Sequence, residues 1–488
     1  MSAAPDKKPI LILTAVVALL AAGLLTYSQT IAFAWDEGFH LLTAQLIQSG
    51  KRPYLDFVFP QTPLNAYWNA AWMSIFGATW RATHAVAALM TALAVWLASG
   101  FVLSRFPKPG WRLACSLTCA LLIGLSVQVF DFGTIAQAYG FCLFLIVAAF
   151  RAAVASVHRS NVWLAAAAGF LASAAAASSL LTAPVAPVLL IWILISNRAG
   201  SRLAKAAAFA ASVLIAFLPV IWLFAEGARQ VFFNVIEYNF RYRQVNWEGA
   251  VPHNLEVLTS WIDSWQALLL GLLAIAGLLF LAVRSDWDRS LRAEFYLCGW
   301  LVLALGLHVS TAAPTFERYY LLLAPFLAIL AAAGLYALGS RLFRPDRPWR
   351  SVALVSVLFA LPLAKSLYES RDDFNWKDAE NLAAIVDQVT PRPAPLLADE
   401  LIYFLTRHPP PSGMELADSH KLGFLPAATL KLLHIVPQAE LDRRVKAGDF
   451  QTIQTCGENA HALTLDLPRL YKKQKPYEDC TVFWDYTR

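Results

Sequence analysis

The sequence predicts a polytopic α-helical membrane protein with a water-soluble α/β domain at its C-terminus, and three observations predict it. Hydrophobic residues make up 58% of the 488-residue chain and charged residues only 15%, whereas a soluble domain carries about 25% charge. Mean hydropathy is +0.52. The deficit of charge is also uneven. Residues 1–368 are long apolar runs broken by short charged punctuation, while residues 369–488 have an ordinary soluble composition.

A membrane-crossing helix takes roughly 17–25 predominantly apolar residues. About eleven segments read as spans on that criterion, near 10–28, 80–103, 113–130, 138–156, 162–179, 183–196, 206–224, 263–283, 295–312, 319–338 and 351–367. The stretch from 162 to 196 reads as two short spans around Ala183-Pro184 or as one broken element. The first span also has the outline of a cleavable signal peptide, with Lys7-Lys8 before it and Ala32-Phe33-Ala34 after it. Its apolar run, Pro9 to Ser28, exceeds the roughly 7–15 residues of a typical signal core, which favours a retained anchor. Either way, the segment after it emerges outside.

Lys and Arg set the orientation. With the N-terminus in the cytoplasm, the cytoplasmic turns carry Arg105, Lys108 and Arg112; Arg151 and Arg159; Arg198, Arg202 and Lys205; Arg284, Arg289 and Arg292; and Arg341, Arg344, Arg347 and Arg350. The opposite loops near 131–136 and 180–184 carry none. The expectation is an inner (plasma) membrane protein whose C-terminal domain lies outside the cell or in the periplasm. The net charge of +6 is spread among these turns, and no basic stripe marks a nucleic-acid partner.

Two external segments are long, and long loops tend to carry function. Residues 29–79 hold a helical pattern from Glu37 to Gln48, with Phe39, Leu42, Leu46 and Ile47 on one stripe and Gly50 ending it. Pro60 and Pro63 bracket a turn, and Leu64 to Phe76 reads as a second amphipathic helix bearing Tyr67, Trp68 and Trp72. Both suit the outer membrane surface. The second segment, Glu226 to Trp261, interleaves aromatic residues with Arg229, Arg241 and Arg243. After residue 368, helical stretches (Lys377–Val389, Pro437–Ala447) alternate with strand-like ones (Leu396–Ala398, Val482–Tyr486), the order of a small α/β layer. Cys115, Cys119, Cys142 and Cys298 read as apolar packing residues. Cys456 and Cys480 either form a disulfide in an oxidising compartment or stay as two thiols, since spacing alone does not decide the geometry.

Several polar residues sit where chemistry is possible. Asp36-Glu37 follows the first span beside Trp35 and His40. It reads as acidic capping of the next helix, or as a general base or metal ligand at the membrane boundary. A lone Asp-Glu step is too little to assert Mg²⁺ or Ca²⁺, so a divalent cation stays open. Asp131 stands alone in charge between Phe130 and Phe132 and points into a polar cavity or forms an exposed turn. In Glu317-Arg318-Tyr319-Tyr320, Arg318 offers a planar fork for phosphate or an anchor paired with Glu317. His84 and His308 read as packed or interface-facing residues.

The run Trp35-Asp-Glu-Gly-Phe-His40, then Gly50-Lys-Arg-Pro-Tyr54, Asp56 and Pro60-Gln-Thr-Pro-Leu64, resembles the first external loop of the GT-C-fold glycosyltransferases. These include protein O-mannosyltransferases, aminoarabinose transferases of lipid A and related bacterial lipopolysaccharide sugar transferases. Tyr319-Tyr-Leu-Leu-Leu-Ala-Pro325 is similar to a late span of that family. The layout covers roughly residues 10–370, and Gln61-Thr62 before Pro63 departs from the more usual Pro-Pro pair.

The resemblance implies an inverting transfer of sugar from a polyprenyl-phosphate donor to an acceptor hydroxyl of a cell-envelope glycan, lipid or protein, on the outer face of the membrane. It implies Asp36 as base, with Glu37 and Asp131 as supporting acids. Such a reaction needs cations at the departing phosphate; Arg318, with Arg241 or Arg243, is the candidate for that charge, and Tyr319 a further candidate for binding the donor phosphate. His40, Tyr54 and Tyr67 are candidates for the substrate pocket. A transporter or flippase of a lipid-linked or anionic solute is the alternative, but such proteins concentrate charge at mid-membrane and often show inverted repeats. Neither is evident here. A third reading is an inactive relative that binds glycolipid or scaffolds other enzymes.

Overall fold

The computed structural model describes residues 7–196, 199–241, 250–283, 286–312, 314–343, 347–457 and 465–487. Two compact units share the chain: Met1–Ala32, His84–Leu218 and Gly249–Asp373 form one, and Phe33–Thr83, Pro219–Glu248 and Phe374–Arg488 the other.

The first unit is a helical bundle. Each of the eleven apolar segments becomes helical, from Lys8–Thr30 to Pro348–Glu369. Among the described residues, seven helices are long and apolar enough to cross a membrane, and up to nine if each of two broken pairs is one span. The break in one pair, between Pro109–Gly124 and Val127–Gly133, bends the path by 57°. The expected count of eleven is not reached by length, because Val162–Ser178 and Leu180–Ser196 are shorter apolar helices. At 17 residues, the first of these spans only about 26 Å, short of a hydrocarbon core of about 30 Å.

Small residues let these helices approach closely, the packing that serves helices in lipid. A Cβ on Gly334 would lie 1.9 Å from the Leu273 carbonyl oxygen, and one on Gly277 2.2 Å from that of Leu330. Only glycine permits helices Trp265–Val283 and Ala324–Leu342 to meet there. Charge supplies a second tie. Glu294, 1% exposed, takes hydrogen bonds from Arg105 at 2.8 and 2.5 Å and contacts His158 Nε2 at 2.6 Å. A carboxylate so enclosed needs such partners to offset its desolvation. Many of the cations expected in loops lie within helices, among them Arg112, Arg151, Lys205 and Arg292; Lys205 is buried, and Arg151 donates to the Leu97 carbonyl. The four cysteines expected as packing residues are free and buried.

The second unit is built from three separate stretches of chain. Its helices include Glu37–Gln48, Leu64–Phe76, Trp376–Val389, Glu400–Thr406 and Gln438–Lys446. A capping box, in which Asn375 and Asp378 satisfy each other's backbone N–H groups, starts Trp376–Val389. Four strands, β1 (Leu396–Leu397), β2 (Thr452–Cys456), β3 (Tyr471–Tyr477) and β4 (Cys480–Tyr486), form one sheet in the order β1-β2-β4-β3. Only the β1–β2 pairing is parallel. Cys456 and Cys480 face each other across β2 and β4 and are joined by a disulfide.

One core cluster, with Leu397, Phe450, Ile453 and Phe483, lies beneath the sheet helices. Another joins Val58, Phe233, Tyr238, Leu416 and Leu433, so each of the three stretches contributes to it. The Leu218–Phe232 helix continues through a π-turn at Phe233–Glu237.

Candidate active site

In the second unit, Asp36 occupies the N-cap position of the Glu37–Gln48 helix, but its side chain makes no capping hydrogen bond. Its backbone is already helical, at φ −58° and ψ −15°, rather than in the extended conformation that aims a capping oxygen at the following amides. The carboxylate is exposed, whereas neighbouring Glu37 is fully buried and His40 is buried. This helix start is held hard against another: a Cβ on Gly38 would meet the Leu401 backbone nitrogen at 2.6 Å. Gly38 is thus required for the Trp35-to-His40 turn to seat on Glu400–Thr406.

The remaining first-loop residues surround a turn. Tyr54 is buried at φ +70°, in the left-handed region that costs a bulky residue energy, and its hydroxyl donates to the Gln61 carbonyl at 2.5 Å. The Gln61 amide lies 3.5 Å from His40 Nε2. Thus His40 and Tyr54 converge on Gln61. Burial pushes the Tyr54 phenol well up. It also pushes up the phenol of half-buried Tyr67, with the Arg52 charge opposing that rise.

Arg52 was not anticipated as a site residue. Its guanidinium binds both oxygens of Asp56 at 3.3 Å and reaches Glu226 at 3.3 Å. Burial pushes the Asp56 carboxyl up, but the Arg52 side chain, its backbone N–H and its charge outweigh this and hold the group below its ordinary range. Asn234 accepts from the Phe59 amide at 2.8 Å and ties the 219–248 stretch to this loop. Arg241 is exposed near the end of that stretch, and Arg243 lies outside the described residues.

The other candidates lie in the first unit. Asp131 is half-buried on the short Val127–Gly133 helix, where Tyr27 donates to it at 2.6 Å. It is therefore no ordinary exposed turn residue. Arg318 and Tyr319 fall in a 3-10 helix, Glu317–Leu323. The Arg318 guanidinium stands 4.5 Å from the Phe316 ring centroid, while Glu317 accepts from Ser260 at 2.5 Å. Tyr319 packs near Tyr139 and Phe316. A cavity of about 210 Å³ is lined by Gln128, Trp261, Gln266, Glu317, Tyr320 and Pro362 among others. His84 is buried with Nδ1 2.7 Å from the Ser28 carbonyl, and His308 is exposed with Nε2 3.0 Å from that of Leu180. Neither reaches a candidate carboxylate through these bonds. Among the described residues, no group of three His, Cys, Asp or Glu side chains is placed to hold a metal ion.

No protein-family model and no curated protein matches the chain. Solved structures do. ArnT from Cupriavidus metallidurans bound to undecaprenyl phosphate superposes with a TM-score of 0.67 at 16% identity, covering 98% of each chain. The same protein in the apo state gives 0.64 at 15% identity, again over 98% of each. The Archaeoglobus fulgidus oligosaccharyltransferase in complex with Zn and sulfate gives 0.55 at 12% identity, over 91% of this chain and 68% of that one. The chain therefore has the GT-C fold of multi-pass membrane proteins.

Proposed function

We propose that this protein is a membrane glycosyltransferase that moves a sugar from a polyprenyl-phosphate donor to an acceptor hydroxyl, with inversion at the anomeric carbon. The observation that carries the proposal is Asp36: an exposed carboxylate, without a capping bond, on a helix start that Gly38 seats against Leu401. Its position, exposed on a helix start that close packing locates, supports a general base. The undecaprenyl phosphate bound to ArnT supports a lipid phosphate as the leaving group.

In the proposed step, the acceptor oxygen forms its bond to the anomeric carbon while its proton passes to Asp36. The bond from that carbon to the phosphate oxygen breaks, and the lipid phosphate departs with the electron pair. Arg241 and Arg52, which share a unit with Asp36, are proposed to offset the phosphate charge. His40, Tyr54 and Tyr67 shape the substrate pocket around Gln61. We further assign the chain to the plasma (inner) membrane, with its N-terminus in the cytoplasm and residues 374–488 outside.

The test is transfer from a defined undecaprenyl-phosphate-linked sugar by purified protein in proteoliposomes. Asp36→Asn is expected to lower turnover by at least about 100-fold, the scale of a lost general base, with an unchanged melting temperature. Normal transfer by that variant would remove Asp36 from the mechanism. Donor flipping without any transfer would favour the transporter reading.

A further inference from the structure

The residues that lead into Asp36 belong to an aromatic assembly of the second unit that the proposed chemistry leaves unused. Phe33 and Trp35 precede Asp36 in sequence, and Phe374 and Trp376 join them from far along the chain. Phe33 lies 6.1 Å from Trp35, 5.3 Å from Phe374 and 5.5 Å from Trp376, centroid to centroid, and Trp35 lies 5.5 Å from Phe374. The back of the assembly is rigid. Trp376 stacks on Trp80 at 4.4 Å, Arg81 covers Trp80 at 4.2 Å, and Glu380 accepts from both Trp80 and Arg81 at 2.9 and 2.8 Å.

Burial divides the assembly in two. Trp80 and Trp376 are each 2% exposed, whereas Phe33, Trp35 and Phe374 are half-buried. The Trp35 indole N–H makes no hydrogen bond to any described residue and is not among the buried polar atoms. A Trp that keeps an accessible ring and an open donor, beside an exposed carboxylate, offers both halves of saccharide recognition. The ring receives the apolar C–H face of a pyranose, and the N–H and carboxylate take its hydroxyls. An exposed Arg81–Glu380 ion pair borders the assembly.

We propose that Phe33, Trp35 and Phe374 form a stacking platform for the pyranose ring of the acceptor, which presents a ring hydroxyl to Asp36. The inference rests on the glycosyltransferase reading and narrows it: the acceptor is a saccharide, not a serine or threonine of a protein. Trp35 and Phe374 are then specificity residues, while Asp36 does the chemistry.

The test needs no turnover. Saturation-transfer NMR of the full-length protein in nanodiscs would use methyl β-D-glucopyranoside, with mannitol as a polyol lacking a ring and an acetyl-Ser-amide peptide as the protein-like acceptor. The glucoside's H1, H3 and H5 are expected to receive saturation, and neither mannitol nor the peptide should. Trp35→Leu and Phe374→Leu should each cut that signal at least about fivefold, the scale of one lost ring interaction. Trp35→Tyr should restore it. Melting temperatures separate a misfolded leucine variant from a folded one, and the tyrosine variant still reports if the leucine variant fails.

Equal signals from glucoside and mannitol, or a signal that survives in a folded Trp35→Leu protein, would overturn the platform. So would fluorescence of Trp35 quenched by brominated lipids and insensitive to the glucoside, which would make it a membrane anchor. Failure of transfer with every lipid-linked sugar, with the ring signal intact, would instead remove the enzyme reading and leave a saccharide-binding site.

Discussion

Asp36 and Gly38 show how one side chain is placed by the absence of another. The carboxylate needs no capping bond, because the helix beginning at Glu37 is located by contact between Gly38 and the Leu401 backbone. Replacing Gly38 by Ala puts a methyl carbon 2.6 Å from a backbone nitrogen, which a shift of a flexible side chain cannot relieve. Gly38→Ala is expected to destabilise the protein by about 1–3 kcal/mol, the usual cost of overpacking. Thermal melts followed by intrinsic fluorescence would measure it. Transfer activity should fall further than the folded fraction does, since the same clash displaces Asp36; equal losses would show that the contact serves stability alone.

At the scale of elements, the Glu400–Thr406 helix that supports Asp36 begins with two acidic residues, Asp399 buried and Glu400 half-buried. Burial pushes Asp399 up to about 6, against a stabilising amide bond from Gln454. Burial, reinforced by the charge of Asp399, pushes Glu400 up to about 7. Both folded values exceed the unfolded ones near 4, so the folded state holds these protons more tightly. The stability they contribute is full below about pH 4 and is lost as pH rises through the folded values of about 6 and 7. The melting temperature of the full chain should therefore carry a falling component between about pH 4 and 7. Asp399→Asn with Glu400→Gln should remove that component, and an unchanged slope in the double variant would contradict it. A pH-dependent element directly beneath the Asp36 turn would also pass its loosening to the site.

On the scale of the whole molecule, the placement of Lys and Arg makes a directional prediction. Alkaline phosphatase fused after Thr487 should be active in a bacterial host, and the same reporter fused after Lys108 should be silent. The opposite pattern would invert the topology and move Asp36 to the cytoplasmic side. The bundle was legible in sequence because hydropathy acts locally: each apolar stretch must bury its own backbone polar groups, and a helix does so within the segment. The span count was less legible, since near Val162–Ser196 the apolar run is interrupted by a 3-10 turn at Leu180–Thr182.

The candidate site divides along the same line. Asp36, His40, Tyr54 and Tyr67 were readable from a short local motif, and Asp131 from its isolation between two aromatic residues. Tyr27, Arg52 and Phe374 were not. Tyr27 meets Asp131 across 104 residues and Trp80 meets Glu380 across 300, and nothing in either local sequence marks its partner. By itself, the sequence determined a membrane-embedded helical chain with acidic and basic candidates at its loop ends, because hydropathy and charge placement are properties of each segment alone. Only the tertiary structure decided that Asp36 is exposed while Glu37 is buried, that Gly38 seats the helix start, and that Phe374 and Trp376 join Phe33 and Trp35 in one aromatic cluster. Those properties depend on atoms brought together from distant segments, where close packing and burial are settled.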